Sequence, residues 1–290
     1  MSNKDARLLK YFQKYSYSPP ASRYDYIAYP AKECGAGSDF EIFFKQQTSK
    51  TRSSRNEDKF IYETFFKQYY AKPNFTSGEN IVPPSQGTYI EMGAYDGLQE
   101  SNTVFFDKCL GWNGLLVEGN PENYLKVVSN RPHAHSMKLA PSCSQEYEDE
   151  NHTIPFYRFP MTNAGLIGHA KTYAGKPTVD VPCGPLTPIL ADIFDGYESI
   201  NFFSLDVEGA ESLILNTIEW DKIPRIDVMI IEIKNNHCQD DSCQVRQDVR
   251  RIMKHAGYMR YQDLVRASDI YIHPNSTYQM PKSIRSTPNE

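Results

Sequence analysis

Short hydrophobic runs alternate with segments of helical periodicity between residues 88 and 273. The runs have the continuous apolar character of strands that are buried on both faces, and the intervening segments have the length of helices. In chain order the pattern predicts strand 88–92, helix 102–110, strand 114–118, helix 121–130, strand 133–139, strand 154–159, helix 187–194, strand 201–206, helix 210–217, strand 227–233, helix 244–255, and strands 258–261 and 269–273. This alternation predicts an α/β fold with a doubly wound, mostly parallel sheet, in which the last two strands run antiparallel to each other.

The two ends of the chain have a different character. Residues 1–55 are polar, Tyr-rich and irregular, which predicts an N-terminal extension or linker. Residues 276–290 are rich in Ser, Pro and Asn and are expected to form a mobile tail. Between them, 56–275 is long enough for one large α/β domain, and an amphipathic helix over residues 57–70 is expected to pack on its core.

Composition narrows the class of protein. The formal net charge of −5 disfavours a nucleic-acid partner, because phosphate binding needs a basic face. No apolar run has the length of a membrane span, and no signal-peptide pattern opens the chain. The expected location is therefore cytoplasmic as written, or a secretory-pathway lumen if an N-terminal anchor is missing. Three Asn-X-Thr/Ser triplets, at Asn74, Asn151 and Asn275, weakly favour the second location. The oligomeric state stays open.

The six cysteines are scattered along the chain. We expect Cys109 to pack as a small hydrophobic side chain on its helix. Cys238 and Cys243 are close enough to pair within a loop. A zinc site there would need a fourth ligand beside His237, and none is visible at suitable spacing, so no metal site is predicted.

The first strand ends in a turn that points to a ligand. Glu91 is followed by two glycines four residues apart, Gly93 and Gly97, and the next strand ends in a second acid, Glu118. A Gly-rich turn between a strand and a helix presents backbone N–H groups to a ligand. An acid at the end of the next strand can accept both hydroxyl groups of a ribose. Together these features predict a nucleoside-cofactor site.

The same turn indicates which cofactor binds. A dinucleotide site needs G-x-G-x-x-G, but Tyr95 occupies the place of the second glycine, and Asp96 would repel a diphosphate. A nucleoside without phosphate and with a positive centre fits better, because carboxylates and an aromatic ring attract a cation. S-adenosyl-L-methionine has these properties.

Four segments carry a resemblance to a known family. They are Tyr89–Gly97, Ser101–Thr103, Trp112–Pro121 and Ser204–Glu211, and they resemble the successive motifs of the FkbM-type methyltransferases over roughly residues 56–275. The resemblance implies a Rossmann-like Class I methyltransferase fold with strand order 3-2-1-4-5-7-6, and methyl transfer that is usually to a hydroxyl oxygen. Glu91 stands where many members carry Asp, and its longer side chain is still expected to reach the methionine amino group.

The candidate site residues follow from the rule that ligands bind beyond the carboxyl ends of the strands in such a sheet. For the cofactor they are Glu91, Gly93, Ala94, Tyr95, Asp96, Gly97, Ser101, Asn102, Glu118, Gly119, Asn120, Ala140 and Asp206. The candidate catalytic residues, one of which would take a proton from the acceptor, are Asp206, Glu208, Glu232 and His237. A divalent metal on Asp206, Glu208 and Glu232 is chemically feasible, but the spacing does not demand it. For Glu211 a structural role at a helix N-terminus is favoured.

The sequence thus predicts an S-adenosylmethionine-dependent O-methyltransferase that acts on a hydroxyl of a carbohydrate or small-molecule acceptor. Two alternatives stay open. One is a non-catalytic, partner-binding protein that retains the fold. The other is a nicotinamide-dependent oxidoreductase, which Tyr95 and Asp96 disfavour.

Overall fold

The fold was examined in a computed structural model of the chain. It describes residues 3–21, 34, 40, 43–44, 53–70, 87–143, 152–159, 161, 165–166, 175–233, 243–282 and 284. All statements below concern these residues.

The described helices and strands follow the predicted order, with two additions that the sequence pattern did not predict, the helix Asn3–Tyr15 and the strand Thr178–Pro182. The helices are α1 (Asn3–Tyr15), α2 (Glu57–Ile61), a π-helical segment (Tyr62–Phe66), α3 (Lys67–Tyr70), α4 (Val104–Lys108), α5 (Pro121–Asn130), α6 (Thr187–Ile193), α7 (Glu211–Leu215) and α8 (Gln244–His255). The strands are β1 (Thr88–Met92), β2 (Asn113–Glu118), β3 (His135–Lys138), β4 (Thr153–Tyr157), β5 (Thr178–Pro182), β6 (Ser199–Leu205), β7 (Arg225–Glu232), β8 (Met259–Val265) and β9 (Ser268–Ile272).

Seven strands form one sheet in the order β3-β2-β1-β6-β7-β9-β8. The neighbours from β3 to β7 pair in parallel, and β9 pairs antiparallel with both β7 and β8. β4 and β5 form a separate antiparallel pair. Without that pair the strand order reads 3-2-1-4-5-7-6, so the predicted Class I methyltransferase topology is confirmed.

The ends of several elements differ from the prediction. α5 and α8 have the predicted bounds, whereas helix 102–110 is shorter and begins at Val104. Ser101 lies directly before the predicted helix, where its hydroxyl would act as the N-cap. The residue before the helix is Thr103, but the Ser101 hydroxyl still accepts bonds from the backbone N–H groups of Thr103 and Val104, at 3.3 and 3.2 Å. The predicted capping contact is therefore made by a residue that lies two positions before Thr103.

The irregular character predicted for the N-terminal segment is wrong for its first part. Asn3–Tyr15 is a helix, and Leu8, Tyr11 and Tyr15 are buried in the core on one side of the sheet. Tyr11 donates a hydrogen bond to Asp192 of α6 at 2.8 Å. At the other end of the chain Tyr278 packs on Phe66, with ring centroids 4.7 Å apart. The first residues of the predicted mobile tail are therefore anchored on the domain.

The expectation that Cys109 is a small hydrophobic side chain is also wrong. Cys109 forms a disulfide with Cys34, and Cys143 forms one with Cys183, with Cα atoms 5.5 and 5.6 Å apart. Cys243 is disulfide-bonded as well, while Cys238 and His237 lie outside the described residues. Sequence spacing could not show the first two pairs, because each joins elements that only the tertiary fold brings together.

None of the helices in the described parts of the chain has both the length and the apolar character of a membrane span.

Candidate active site

The candidate site lies at the carboxyl edge of the parallel strands. An open cleft of about 560 Å³, which includes space open to solvent, is found there. Its walls come from the residues that follow β1, β2, β3 and β6 and from the β4 region. They are Met92, Gly93, Tyr95, Val117, Glu118, Gly119, Leu139, Ala140, Pro141, Ser142, Phe156, Met161, Gly165, Leu166, Asp206, Val207, Glu208, Ala210 and Ile214. Glu118, Asp206 and Glu208 face an otherwise largely apolar wall, which suits a ligand with one flat apolar part and one charged part.

The turn after β1 needs glycine because the backbone of β6 approaches it closely. Gly93 has a φ of 80°, and a Cβ atom there would lie 1.8 Å from the carbonyl oxygen of Asp206. Tyr95 adopts a φ of 51°, which is costly for a non-glycine residue. This conformation lets the Tyr95 N–H donate to Glu118 at 2.7 Å. The turn therefore links the ends of three strands.

Glu118 is held in place by backbone N–H groups. One carboxylate oxygen accepts from Tyr95 and the other from Asn120, both at 2.7 Å. Burial raises the pKa of Glu118 to about 7, and these backbone bonds oppose the rise. The backbone N–H of Gly119 also contacts this carboxylate. A carboxylate has about four acceptor positions, so the three backbone donors leave one for a hydroxyl group. Glu118 lines the cleft and therefore retains the geometry of a ribose acceptor.

Glu91 has a different environment from the one expected. It accepts hydrogen bonds from the Ser101 hydroxyl, the Asn102 backbone N–H and the Thr103 hydroxyl, each at 2.7 Å, and Arg131 lies 4.0 Å away. It is 3% exposed and does not line the cleft. These contacts do not fit the expectation that Glu91 reaches the methionine amino group; they fix the loop that precedes α4.

Arg131 is the centre of this network. It is 1% exposed, forms an ion pair with Asp107, and donates to the Tyr89 hydroxyl at 2.8 Å and to the Gly97 carbonyl at 3.0 Å. The neighbouring Asn130 donates to the Asp96 carbonyl at 2.8 Å. The C-terminal end of α5 therefore secures the glycine turn. Sequence reasoning missed Arg131, because a single arginine after a helix is no signal of burial.

Asn120 connects the cofactor edge to the β4 segment. Its side-chain oxygen caps α5 by accepting from the Glu122 N–H at 3.0 Å. Its amide group donates to the carbonyls of Arg158 and Phe159 at 3.0 and 3.1 Å. Asn120 thus positions Phe156, whose ring packs so close to Gly119 that a Cβ atom there would lie 2.7 Å from it.

Four acids gather where β6 and β7 end. Asp206 and Glu232 share a side-chain hydrogen bond, and single oxygens of Asp206, Glu211 and Glu232 lie within 4.8 Å of one another. Glu208 follows in the loop with a φ of 56°. Glu211 accepts from the N–H groups of Val207 and Gly209, both at 3.1 Å, which agrees with the structural role favoured for it.

Crowding of these acids changes their protonation. Burial, reinforced by the negative charges of Asp206 and Glu208, raises the pKa of Glu232 so far that it carries a proton at neutral pH. Burial also raises the pKa of Asp206, but the hydrogen bond from Glu232 opposes the rise. Burial and the charge of Asp206 raise the pKa of Glu208 to about 8. The pKa of Glu232 is therefore raised further than that of Asp206, which favours the shared proton on Glu232.

The structure brings most of the predicted site residues together. Those that line the cleft are Gly93, Tyr95, Glu118, Gly119, Ala140, Asp206 and Glu208. Those that stand behind its wall are Glu91, Ala94, Asp96, Gly97, Ser101, Asn102, Asn120 and Glu232. The two groups are joined by hydrogen bonds, such as that from the Asn120 backbone N–H to the Glu118 carboxylate at 2.7 Å. His237 lies outside the described residues.

The positions of the acids allow a cation to bind near them. Among the described residues, no cysteine sulfur is available as a metal ligand. Cys143, His152 and Cys183 are also close together, but both sulfurs are committed to the disulfide. The oxygen trio at Asp206 differs from the set considered from sequence, because Glu211 takes the place of Glu208.

Comparison with known proteins identifies a family. The model of the family described as Methyltransferase FkbM domain matches residues 91–259, more than half of the chain. No curated protein matches it. Among solved structures, the precorrin-6y C5,15-methyltransferase of Geobacter metallireducens GS-15 is 8% identical with a TM-score of 0.32, over 64% of this chain and 78% of that one. Aeropyrum pernix fibrillarin, in complex with natively bound S-adenosyl-L-methionine, is 12% identical with a TM-score of 0.34, over 66% of this chain and 69% of that one.

The family match spans β1, β2, β6, β7 and the start of β8, and thus every strand end that contributes an acid to the cleft. The chain therefore belongs to the FkbM methyltransferase family and is an S-adenosyl-L-methionine-dependent methyltransferase.

Proposed function

We propose that the chain transfers the methyl group to a hydroxyl oxygen of a carbohydrate or small-molecule acceptor. The observation that carries this proposal is the position of Asp206, whose carboxylate lines the cleft and shares a hydrogen bond with Glu232. A carboxylate whose pKa is raised toward neutrality is a better base than an ordinary exposed aspartate, yet it is still charged at the working pH.

The residues of the cleft fit the cofactor. Glu118 would hold a ribose hydroxyl group, and Leu139, Phe156 and Leu166 would contact the adenine ring. Glu208, which would lose its proton beside a bound cation, would supply the negative charge for the ammonium group, and Asp206 would face the sulfonium and its methyl group. When bound, S-adenosyl-L-methionine supplies a methyl carbon that positive sulfur has activated.

The protein then has two tasks. The cleft walls hold the acceptor oxygen in line, and such alignment can contribute roughly 7–11 kcal/mol. Asp206 accepts the proton of the acceptor hydroxyl, which typically adds about 10²–10⁴-fold in rate. Glu232 positions Asp206 through their hydrogen bond. Its other carboxyl oxygen, Oε2, is buried without a partner among the described residues.

The experiment is a screen of sugars and small alcohols with isotopically labelled methyl donor, followed by NMR assignment of the atom that carries the label. We expect the label on an oxygen. We expect Asp206→Asn to lower turnover by about 10²–10⁴-fold, while calorimetry shows S-adenosylhomocysteine binding within a few-fold of the wild type. Glu198→Gln, on a glutamate that is 90% exposed, is the matched control and should change neither quantity.

A label on nitrogen or carbon would overturn the proposal of O-methylation. Equal losses of turnover and of cofactor affinity in Asp206→Asn would show that Asp206 binds ligand and is not the base.

A further inference from the structure

We propose that Asn275 is an N-glycosylation site and that the chain folds in the oxidising lumen of the secretory pathway. Two independent observations carry this inference: the exposure of one Asn-X-Thr triplet, and the oxidation state of the cysteines. Neither takes part in the methyl-transfer site.

The triplet Asn275-Ser276-Thr277 forms an exposed turn between two anchored points. Before it, the His273 N–H donates to the Asp227 carbonyl at 3.0 Å. After it, Tyr278 packs on Phe66. Asn275 and Thr277 are exposed, whereas Ser276 is only 7% exposed. The exposed positions are the two that the modification requires, the amide that receives the sugar and the hydroxyl two residues later.

The Asn275 side chain is available for the reaction. The backbone N–H of Asn275 donates to the His273 ring at 3.1 Å, but its carboxamide makes no hydrogen bond with any residue that the structure describes. Of the other two triplets, Asn74 and Asn151 lie outside the described residues, so Asn275 is the position that the structure can support.

The site stands at the edge of the sheet opposite the cleft. Ile272 at the end of β9 pairs with Val228 near the start of β7, whereas the cleft lies where β7 ends. A bulky oligosaccharide on Asn275 would therefore leave the cofactor and acceptor openings clear.

The cysteines point to the compartment in which this modification occurs. Two disulfides link Cys34 to Cys109 and Cys143 to Cys183, across sequence separations of 75 and 40 residues. Cys243 is also disulfide-bonded, and none of the described cysteines is free. Structural disulfides persist in the secretory pathway and are rare where glutathione keeps thiols reduced.

The modification is a group transfer from a lipid-linked oligosaccharyl pyrophosphate. The Asn275 amide nitrogen forms a bond to the first carbon of the sugar, the bond from that carbon to the lipid pyrophosphate breaks, and the nitrogen loses one proton. The products are the glycosylated chain and the free lipid pyrophosphate.

The test uses the full chain, directed into the lumen of a eukaryotic cell by a cleavable signal peptide. Lumenal and secreted protein are treated with a glycosidase in heavy-oxygen water, which converts a glycosylated Asn into a labelled Asp, and the tryptic peptide with residue 275 is read by mass spectrometry. The variants are Asn275→Gln, Thr277→Val, which removes the triplet but keeps Asn275, and Thr277→Ser, which keeps the triplet.

We expect the label at residue 275 in the wild type and in Thr277→Ser, and its loss in the other two variants. We also expect Asn275→Gln to keep methyl-transfer turnover within about twofold of the wild type, and the cysteines of the denatured, unreduced protein to resist maleimide. An unlabelled residue 275 in the wild-type lumenal protein would overturn the assignment of the site. Cysteines that react with maleimide without reductant would overturn the assignment of the compartment.

Discussion

Two groups of acids stand at the ends of neighbouring strands, and they differ in what neutralises them. Glu91, at the end of β1, has three hydrogen-bond donors and Arg131 beside it. The acids at the ends of β6 and β7 have chiefly other carboxylates as neighbours. The positive charge of Arg55 has the smallest effect among the charges that shift the pKa of Asp206. A paired carboxylate holds the fold together, whereas a crowded set of carboxylates marks a place where a positive ligand group is expected.

The largest change in stability is expected from a substitution in the Glu91 group, whose charges are paired. Replacing Arg131 by Met leaves Glu91 and Asp107 as buried, uncompensated charges, which should lower the free energy of unfolding by about 3–5 kcal/mol. Chemical denaturation monitored by circular dichroism measures this change. Arg251→Met is the matched control, because its ion pair with Asp248 is exposed and should be worth less than about 1 kcal/mol. A loss below 1 kcal/mol in Arg131→Met would mean that the Glu91 network is not structural.

Glu118 shares a property with each group of acids. Its carboxylate accepts hydrogen bonds from backbone N–H groups, as a structural acid does, and it also faces the cleft. Hydrogen bonds to a charged group are worth about 1.5–3 kcal/mol, so Glu118→Gln should weaken S-adenosylhomocysteine binding by roughly 10- to 100-fold in calorimetry. Glu122→Gln, on a half-exposed glutamate nearby, is the control. If Glu118→Gln instead keeps its affinity and loses only thermal stability, Glu118 belongs with the structural group.

The smallest effect is the pH dependence of the unliganded protein. Burial raises the pKa of Glu211 to about 7, and burial with the charge of Asp206 raises that of Glu208 to about 8. The folded state therefore holds protons that the unfolded state releases above about pH 4.5, so stability is lost as pH rises through these values. Each such proton is worth at most about 1.4 kcal/mol per pH unit, and solvent screens the partly exposed Glu208, so we expect the free energy of unfolding to increase by about 1 kcal/mol per pH unit or less from pH 8 to pH 6.

Glu208→Gln should reduce that increase, and Glu198→Gln should not. A free energy of unfolding that is lower at pH 6 than at pH 8 would contradict the proposed crowding of the acids.

The sheet could be predicted because its signals are local. Pro121 and the capping Asn120 define the start of α5, and Gly257, with a φ of 81°, follows the end of α8. The helix of Asn3–Tyr15 also had a local signal, since Leu8, Tyr11 and Tyr15 recur at helical spacing, but the many polar residues around them obscured it. Its recognition needed only a stricter count of periodicity.

The cleft could be predicted in part. Gly93, Glu118 and Asp206 were identified because strand-end positions converge in a parallel sheet. Which acid faces the ligand could not be predicted, because the answer depends on Arg131, which lies 40 positions after Glu91 in the sequence. The disulfide partners could not be predicted for the same reason, because only the complete fold brings them close together.

Helix α5 contacts the candidate site at both of its ends, so the length of the helix sets the distance between these two contacts. Its first turn follows Glu118 and Asn120, and its last residues, Asn130 and Arg131, hold the carbonyls of Asp96 and Gly97. One inserted residue would lengthen the helix by about 1.5 Å and rotate everything beyond it by about 100°. An insertion in the middle of α5, far from any ligand, should therefore detach the glycine turn as effectively as a substitution within it.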